Sequence, residues 1–371
     1  MQTSHTIHAA DARDMTGLAD EAVDLVVTSP PYPMIEMWDD LFASLDPTIA
    51  DHLDAGDGEV AFEAMHDVLD SVWTEVARVL RPGGIVCVNV GDATRTVDGS
   101  FRVYPNHARI VAAFQGLGFE PLPDVLWHKP TNSAAKFMGS GMLPTNAYVT
   151  LEHEYVLVFR KGGRRDFDAK DDRRYESAYF WEERNRWFTD VWTEIKGELQ
   201  TLPDDGLRDR SAAFPFEIPY RLVNMYSVYG DTVLDPFWGT GTTSLAAMVA
   251  GRNSVGYELE GDFHDFFAER VADLPAMSRA VVAERLRAHR DFVASEGGDL
   301  GYRAEHYDVP VRTKQERRIR FFEVTDVGNG FDAASGEGPG DGGREAATYR
   351  VTHEPIDDVD ALLETEGAAA E

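Results

Sequence analysis

One stretch limits the fold of this chain more than any other. It is "VLDPFWGTGTTSLAAMVAGRNSVGYELE", from Val233 to Glu260. An apolar strand runs into a glycine-rich turn, the turn opens a helix of small apolar residues, and a second strand follows. Strand–turn–helix–strand in so few residues is the repeating unit of a parallel sheet covered by helices. Glu258 ends the second strand, 23 positions after Asp235. Glycines that admit a ligand to the backbone, with an acidic residue after the next strand to accept ribose hydroxyls, make a nucleoside cofactor site. Gly239 and Gly241 are followed by Ser244 rather than by a third glycine, and Asp235 precedes them. A carboxylate beside the turn would repel a pyrophosphate. It suits a ligand bearing an ammonium group, such as the methionine end of S-adenosylmethionine.

The rest of the chain agrees with such a sheet. "VDLVV" (Val23 to Val27), "IVCVNV" (Ile85 to Val90), "VLWHKP" and "EYVLVFRKG" read as strands. Between the first two, apolar residues at Met65, Val68, Leu69, Val72, Val76, Val79 and Leu80 form a helical stripe, stopped by "RPGG". The expected fold is α/β: a doubly wound, mostly parallel, Rossmann-like sheet. Residues 1–300 are expected to form the catalytic domain. Within it, 160–210 breaks the pattern as an inserted, Arg- and aromatic-rich region, and 301–371 is an acidic, partly flexible extension. Lys314 to Arg320 reads there as a basic edge strand with solvated charges, contact with a nucleic acid being the alternative.

The other singular stretch is "TSPPY", Thr28 to Tyr32, where a buried strand stops on two prolines. Proline lacks an N–H and fixes φ, so the pair holds the Pro30 carbonyl out of the strand ladder, beside the Ser29 hydroxyl. A surface polyproline turn is the bland alternative.

"TSPPY" together with "DPFWGTGTT" resembles the β class of DNA amino-methyltransferases, which carry a (D/N/S)-P-P-(Y/F) catalytic motif before a D-P-F-x-G-x-G-T cofactor motif. The likeness runs from about His5 to Phe267 and includes "WHKP", "HEYVLVFRKG" and "FPFEIPYRLV"; "RSAAFP" departs from the His-Pro-Ala of many members. It implies S-adenosyl-L-methionine as cofactor, double-stranded DNA as partner, and Ser29, Pro30, Pro31 and Tyr32 as the catalytic corner. An exocyclic amine is a poor nucleophile because its lone pair is delocalised into the ring. On this resemblance the Ser29 hydroxyl and Pro30 carbonyl would accept its two N–H groups and localise that lone pair, and Tyr32 would offer a stacking face to a base turned out of the duplex. Cofactor contacts are implied for Asp11, Phe216, Asp235, Pro236, Phe237, Gly239, Gly241, Thr242 and Glu258. A helix N-cap is the alternative for Asp11, and core packing for Phe216 and Phe237. Serine at the first motif position is commoner in cytosine-N4 enzymes, aspartate in adenine-N6 enzymes. "PMIEMWDDLF" is similar to CTAG-modifying cytosine-N4 enzymes of archaea. An adenine-N6 enzyme, an RNA amino-methyltransferase and an NAD-linked oxidoreductase are the competing readings. A restriction endonuclease counterpart is compatible with the resemblance.

Charge bears on the partner. The formal net charge is −30, from 65 acidic and 35 basic residues. The acidity is spread along the whole chain, as expected for a halophilic protein, since screening at 1 M salt confines self-repulsion to about 3 Å. The interval from Arg160 to Arg186 is the exception, with nine Lys/Arg against seven Asp/Glu. Sequence recognition is expected from the 160–210 insertion, as a candidate target-recognition region, and from the loop around Lys129 to Tyr148. Arg164, Arg165, Arg173 and Arg174 of the first and Lys129 and Lys136 of the second are the candidate DNA contacts, with Tyr175, Tyr179, Phe180, Trp181, Trp187 and Phe188 interleaved. A solvated surface over a small aromatic cluster is the alternative. Cys87, the only cysteine, lies mid-strand and reads as core; no metal site is expected. With neither an apolar leader nor a long uncharged span, the chain is expected to be cytoplasmic.

Overall fold

The computed structural model describes residues 1–129, 138–197, 214–329 and 346–368. Its framework is one sheet of 11 strands. In chain order these are β1 (Gln2–Ala9), β2 (Val23–Thr28), β3 (Leu80–Val90), β4 (Phe119–Pro121), β5 (Val125–His128), β6 (His153–Lys161), β7 (Val191–Trp192), β8 (Thr232–Asp235), β9 (Asn253–Glu258), β10 (Phe322–Asn329) and β11 (Ala346–Pro355). The spatial order is β7-β5-β6-β3-β2-β8-β9-β1-β11-β10, with β4 beside β6. The central run from β3 to β1 is parallel throughout. Antiparallel strands flank it on both sides: β6 on β3 and β11 on β1.

Helices cover both faces, as a buried parallel sheet requires. On one face α1 (Gly58–Val79) and α2 (Asn106–Gly116) pack on Val26, Val86 and Val88. On the other, α3 (Glu217–Tyr226), α4 (Thr242–Val249) and α5 (Leu274–Ser295) pack on Leu25, Val27 and Cys87. Adjacent residues of β2 and β3 thus serve opposite cores, the two-residue period of a strand buried on both sides. The expected stripe of α1 is buried at Met65, Val68, Leu69, Val72, Val76 and Val79. Cys87 is core, and burial pushes its thiol up.

The C-terminal region differs from expectation. Beyond residue 301 the chain supplies β10 and β11 to the same sheet, and Val359–Ala368 is helical. Glu316–Arg318, expected in an edge strand, forms a 3-10 turn. The Arg- and aromatic-rich interval agrees with the alternative reading, a charged surface over an aromatic cluster. Phe180 and Trp187 are fully buried, and Phe180 stacks on His289 of α5 with ring centroids 3.7 Å apart. Phe180 shares a third core cluster with Val282, Leu286, Tyr307, Phe321 and Leu362. Glu183 pairs with Arg285 at 2.5 Å. These aromatics tie the interval to the C-terminal segment. Among the described residues no helix is long and apolar enough to cross a membrane.

Candidate functional site

A cavity of about 640 Å³ opens at the C-terminal ends of β2 and β8, the side where ligands sit in parallel α/β sheets. The two strands are neighbours, with Val233 opposite Leu25 and Leu234 opposite Val26. Their terminal corners, Ser-Pro-Pro and Asp-Pro-Phe, are therefore brought side by side. The Thr28 hydroxyl ties them together by donating to Asp235 Oδ1 at 2.7 Å.

The cavity collects ten of the residues expected from sequence: Asp11, Ser29, Pro30, Pro31, Asp235, Pro236, Phe237, Gly239, Thr242 and Glu258. Asp235 is buried, receives the Phe237 N–H at 3.1 Å, and meets no cation among the described residues. Burial raises its pKa to about 6, against the hydrogen bonds from Thr28, Thr243 and the Phe237 amide. Glu258 accepts the Gly239 N–H at 2.7 Å and the Glu260 N–H at 2.9 Å, so one carboxylate shapes the glycine turn and faces the cavity. Burial moves Glu258 upward too. A Cβ on Gly239 would meet nothing nearer than the Phe237 carbonyl at 4.0 Å, which leaves the backbone open to a ligand. Asp11 is no helix cap: it accepts the Arg13 amide at 2.8 Å and pairs with the Arg13 guanidinium at 2.7 Å.

Three expected residues stand elsewhere. Gly241 caps α4 at φ +76°, and a Cβ there would collide with the Phe267 ring, so backbone and packing alone call for glycine. Phe216 stacks on Tyr220 at 5.3 Å, and Phe214 of the same segment lines the cavity instead. Tyr32 is only 9% exposed and presents no open stacking face. Its ring lies close enough to Gly91 that a Cβ there would come within 3.2 Å of Tyr32 Cε2. Its hydroxyl sits 3.1 Å from Ser29 Oγ, receives Asn89 Nδ2 at 2.9 Å and donates to Glu154 Oε2 at 3.0 Å. Lys129, expected on DNA, donates to Glu154 Oε1 at 2.6 Å. Asn89 and Glu154 escape sequence reasoning, since each reads as an ordinary residue of a buried strand. "PMIEMWDDLF" supplies cavity wall through Met37, Trp38, Leu41 and Phe42.

The remaining basic candidates lie at the other end of the sheet. Arg165 makes a bidentate pair with Asp231, at 2.5 and 2.9 Å, where β8 begins. Arg164 and Arg174 border a second cavity, of about 680 Å³, that also contains Asp24 and Gly83. Arg174 lies over the Phe167 ring at 4.8 Å, and Arg173 is exposed beside it in the short helix Asp172–Glu176. Lys136 and Arg210 to Ala213 of "RSAAFP" lie outside the described residues.

The donor set fits a cationic nucleoside. Asp235, a buried carboxylate with no cationic partner among the described residues, suits a positively charged ligand; a second carboxylate lies at the end of the next strand, and Phe237, Tyr257 and Phe263 supply apolar walls. The volume is that of a small-molecule cofactor pocket. Comparison with known proteins gives the same answer. The N6_N4_Mtase family, described as DNA methylase, matches residues 23–269. Type II methyltransferase M.MthZI of Methanothermobacter thermautotrophicus is 50% identical over 325 residues, 87% of this chain and 91% of that protein. Type II methyltransferase M.MjaI of Methanocaldococcus jannaschii is 51% identical over 280 residues, 72% and 91% of the two chains. The structure of TTHA0409, a DNA modification methylase homologue from Thermus thermophilus complexed with S-adenosyl-L-methionine, superimposes with a TM-score of 0.57 at 35% identity, covering 73% of this chain and 94% of that one.

Proposed function

The chain belongs to the N6/N4 family of DNA methylases, with S-adenosyl-L-methionine as its methyl donor, and as its activity we propose methylation of the exocyclic N4 amine of cytosine in double-stranded DNA. One observation carries this reading. The Ser29–Pro30–Pro31 corner opens into the same cavity as Asp235, Gly239 and Glu258, and the Thr28–Asp235 bond locks the two halves in register.

When bound, S-adenosyl-L-methionine supplies an electrophilic methyl group on a positively charged sulfur. Asp235 would hold its cationic end, Glu258 would accept from its ribose hydroxyls, and Phe214, Phe237 and Tyr257 would flank it. Ser29 Oγ and the Pro30 carbonyl accept the two N–H groups of the target amine, pulling electron density back onto nitrogen. Tandem prolines hold that carbonyl in place without further ordering, so the acceptors are preorganised. The target base leaves the stack to reach them. Serine at position 29 supports cytosine over adenine. The likeness of "PMIEMWDDLF" to CTAG-modifying enzymes supports CTAG as the recognition sequence. A restriction endonuclease of the same specificity is the expected counterpart, in keeping with the Type II names of the relatives.

The duplex approaches the C-terminal ends of the parallel strands, so Arg164, Arg165, Arg173 and Arg174 have no part in this proposal. A net charge of −30 spread over the chain supports a working environment of molar salt, where counterion release contributes little to binding. The test is chemical. Duplexes containing CTAG, and scrambled controls, are treated with enzyme and labelled donor and digested to nucleosides. Label in N4-methyldeoxycytidine, confined to CTAG duplexes, is expected; label in N6-methyldeoxyadenosine overturns the reading.

A further inference from the structure

Behind the catalytic corner lies a buried hydrogen-bond chain with only one consistent direction. Three donors converge on Glu154: Lys129 Nζ on Oε1 at 2.6 Å, and Asn89 Nδ2 and Tyr32 Oη on Oε2 at 2.7 and 3.0 Å. A carboxylate facing an ammonium offers acceptors only. The amide of Asn89 must therefore turn its nitrogen to Glu154, because its oxygen there would meet like charge. That same nitrogen lies 2.9 Å from Tyr32 Oη and can only donate to it. Tyr32 has one proton, and its hydroxyl donates it in the hydrogen bond to Glu154. Burial and the Glu154 charge push the phenol well above its ordinary value, so the proton stays. The Tyr32 oxygen is then left to accept, from Asn89 on one side and from Ser29 Oγ at 3.1 Å on the other. Ser29 thus gives its only proton to Tyr32, and among the described residues no group donates to its lone pairs, which are left for the cavity that Ser29 lines.

We infer that Glu154, with Asn89 and Lys129, is a positioning unit that fixes the polarity of the Ser29 hydroxyl, making it an obligate acceptor at the substrate. The inference rests on the reading that places the target amine on Ser29. Its consequence is selectivity for chemistry rather than shape. An amine meets a lone pair with an N–H, whereas a ring carbonyl at the same position, as in thymine or uracil, meets lone pair with lone pair. A site built to bond an N–H rejects the analogue that lacks it, because a buried polar group is left unpaired. The signal is not local, since the pairs join residues 57, 65 and 122 positions apart.

Glu154→Gln tests it, because glutamine offers one acceptor oxygen where three donors converge. The single-turnover rate of methyl transfer is expected to fall by about 10²-fold, with donor affinity by calorimetry and the KM for duplex unchanged. In a Ser29→Ala background, where no hydroxyl remains to orient, the same substitution is expected to cost less than about threefold, the non-additivity of residues acting as a unit. An equal loss in both backgrounds, or no loss in either, overturns the inference. Full activity of Ser29→Ala alone overturns the underlying reading instead. Should Glu154→Gln fail to bind donor or melt early, Tyr32→Phe cuts the chain without touching the carboxylate. It is expected to show the same coupling to Ser29→Ala, and multiplicative losses there contradict the inference.

Discussion

Two aspartates bracket the short strand β8, and they lead opposite lives. Asp231 precedes it and Asp235 ends it, roughly 13 Å apart at strand rise. They are 2% and 3% exposed. At Asp231 the charge is answered within the protein: Arg165 grips both oxygens, and the Val228 amide donates at 2.9 Å. At Asp235, among the described residues, only neutral donors answer it, and its pKa climbs to about 6. A buried charge left without a counter-ion is costly. It is tolerated where a cationic ligand completes it. On the proposed reading, one end of the sheet uses its charge for folding and the other reserves it for a ligand.

The largest effect expected from this contrast is at the folding end. Arg165→Ala leaves Asp231 buried without its cation, at a cost of about 3–5 kcal/mol, read by denaturant unfolding. Donor affinity and methyl transfer of the folded protein should not change. A loss of duplex binding with stability intact would instead return Arg165 to the DNA.

Asp235→Asn should act in the opposite sense. Donor affinity is expected to fall by about 10- to 100-fold, the worth of one charge-assisted contact, while the ligand-free protein is at least as stable at pH 8. Calorimetry and a melting curve on one preparation separate the two. Retained affinity would mean that the carboxylate serves only the Thr28 bond.

A smaller, graded effect follows from pH. Asp235 titrates at about 6 in the fold and at its ordinary value of 3.8 when unfolded. Between those limits the folded protein binds the extra proton, so rising pH lowers stability, and the cost is complete above about pH 6. The ionised form is the one a cation seeks, so donor affinity should be greatest above pH 6 and weaken as pH falls through it. Both trends should vanish in Asp235→Asn; if affinity still weakens below pH 6 there, another group is titrating.

What could be read from sequence divides along the same line. The strand, turn and stripe signals are local: an apolar run, a proline pair, glycines, and a period near 3.6 in α1. Each is complete within some twenty residues, so the parallel centre of the sheet and both corners were legible. Partnership is not local. Arg165 and its neighbours look like a DNA surface by composition, but only the fold reveals that they lie at the N-terminal ends of the strands and meet Asp24 and Asp231. Phe180 and Trp187 look available for stacking until α5 and the C-terminal segment close over them. Lys129 looks like a phosphate contact until β6 brings Glu154 alongside. Tyr32 was legible as part of the corner and not as a buried relay to Glu154. Phe214 and Phe216 flank one proline, and no local pattern says which of them faces the cavity.

The central claim is that the corner after β2 acts on the acceptor amine while the corner after β8 holds the donor. Ser29→Ala tests it most directly, with donor affinity and single-turnover rate measured on the same protein. The account predicts a rate reduced by about 10²- to 10³-fold at unchanged affinity. A normal rate, or a loss explained entirely by weaker donor binding, would contradict it.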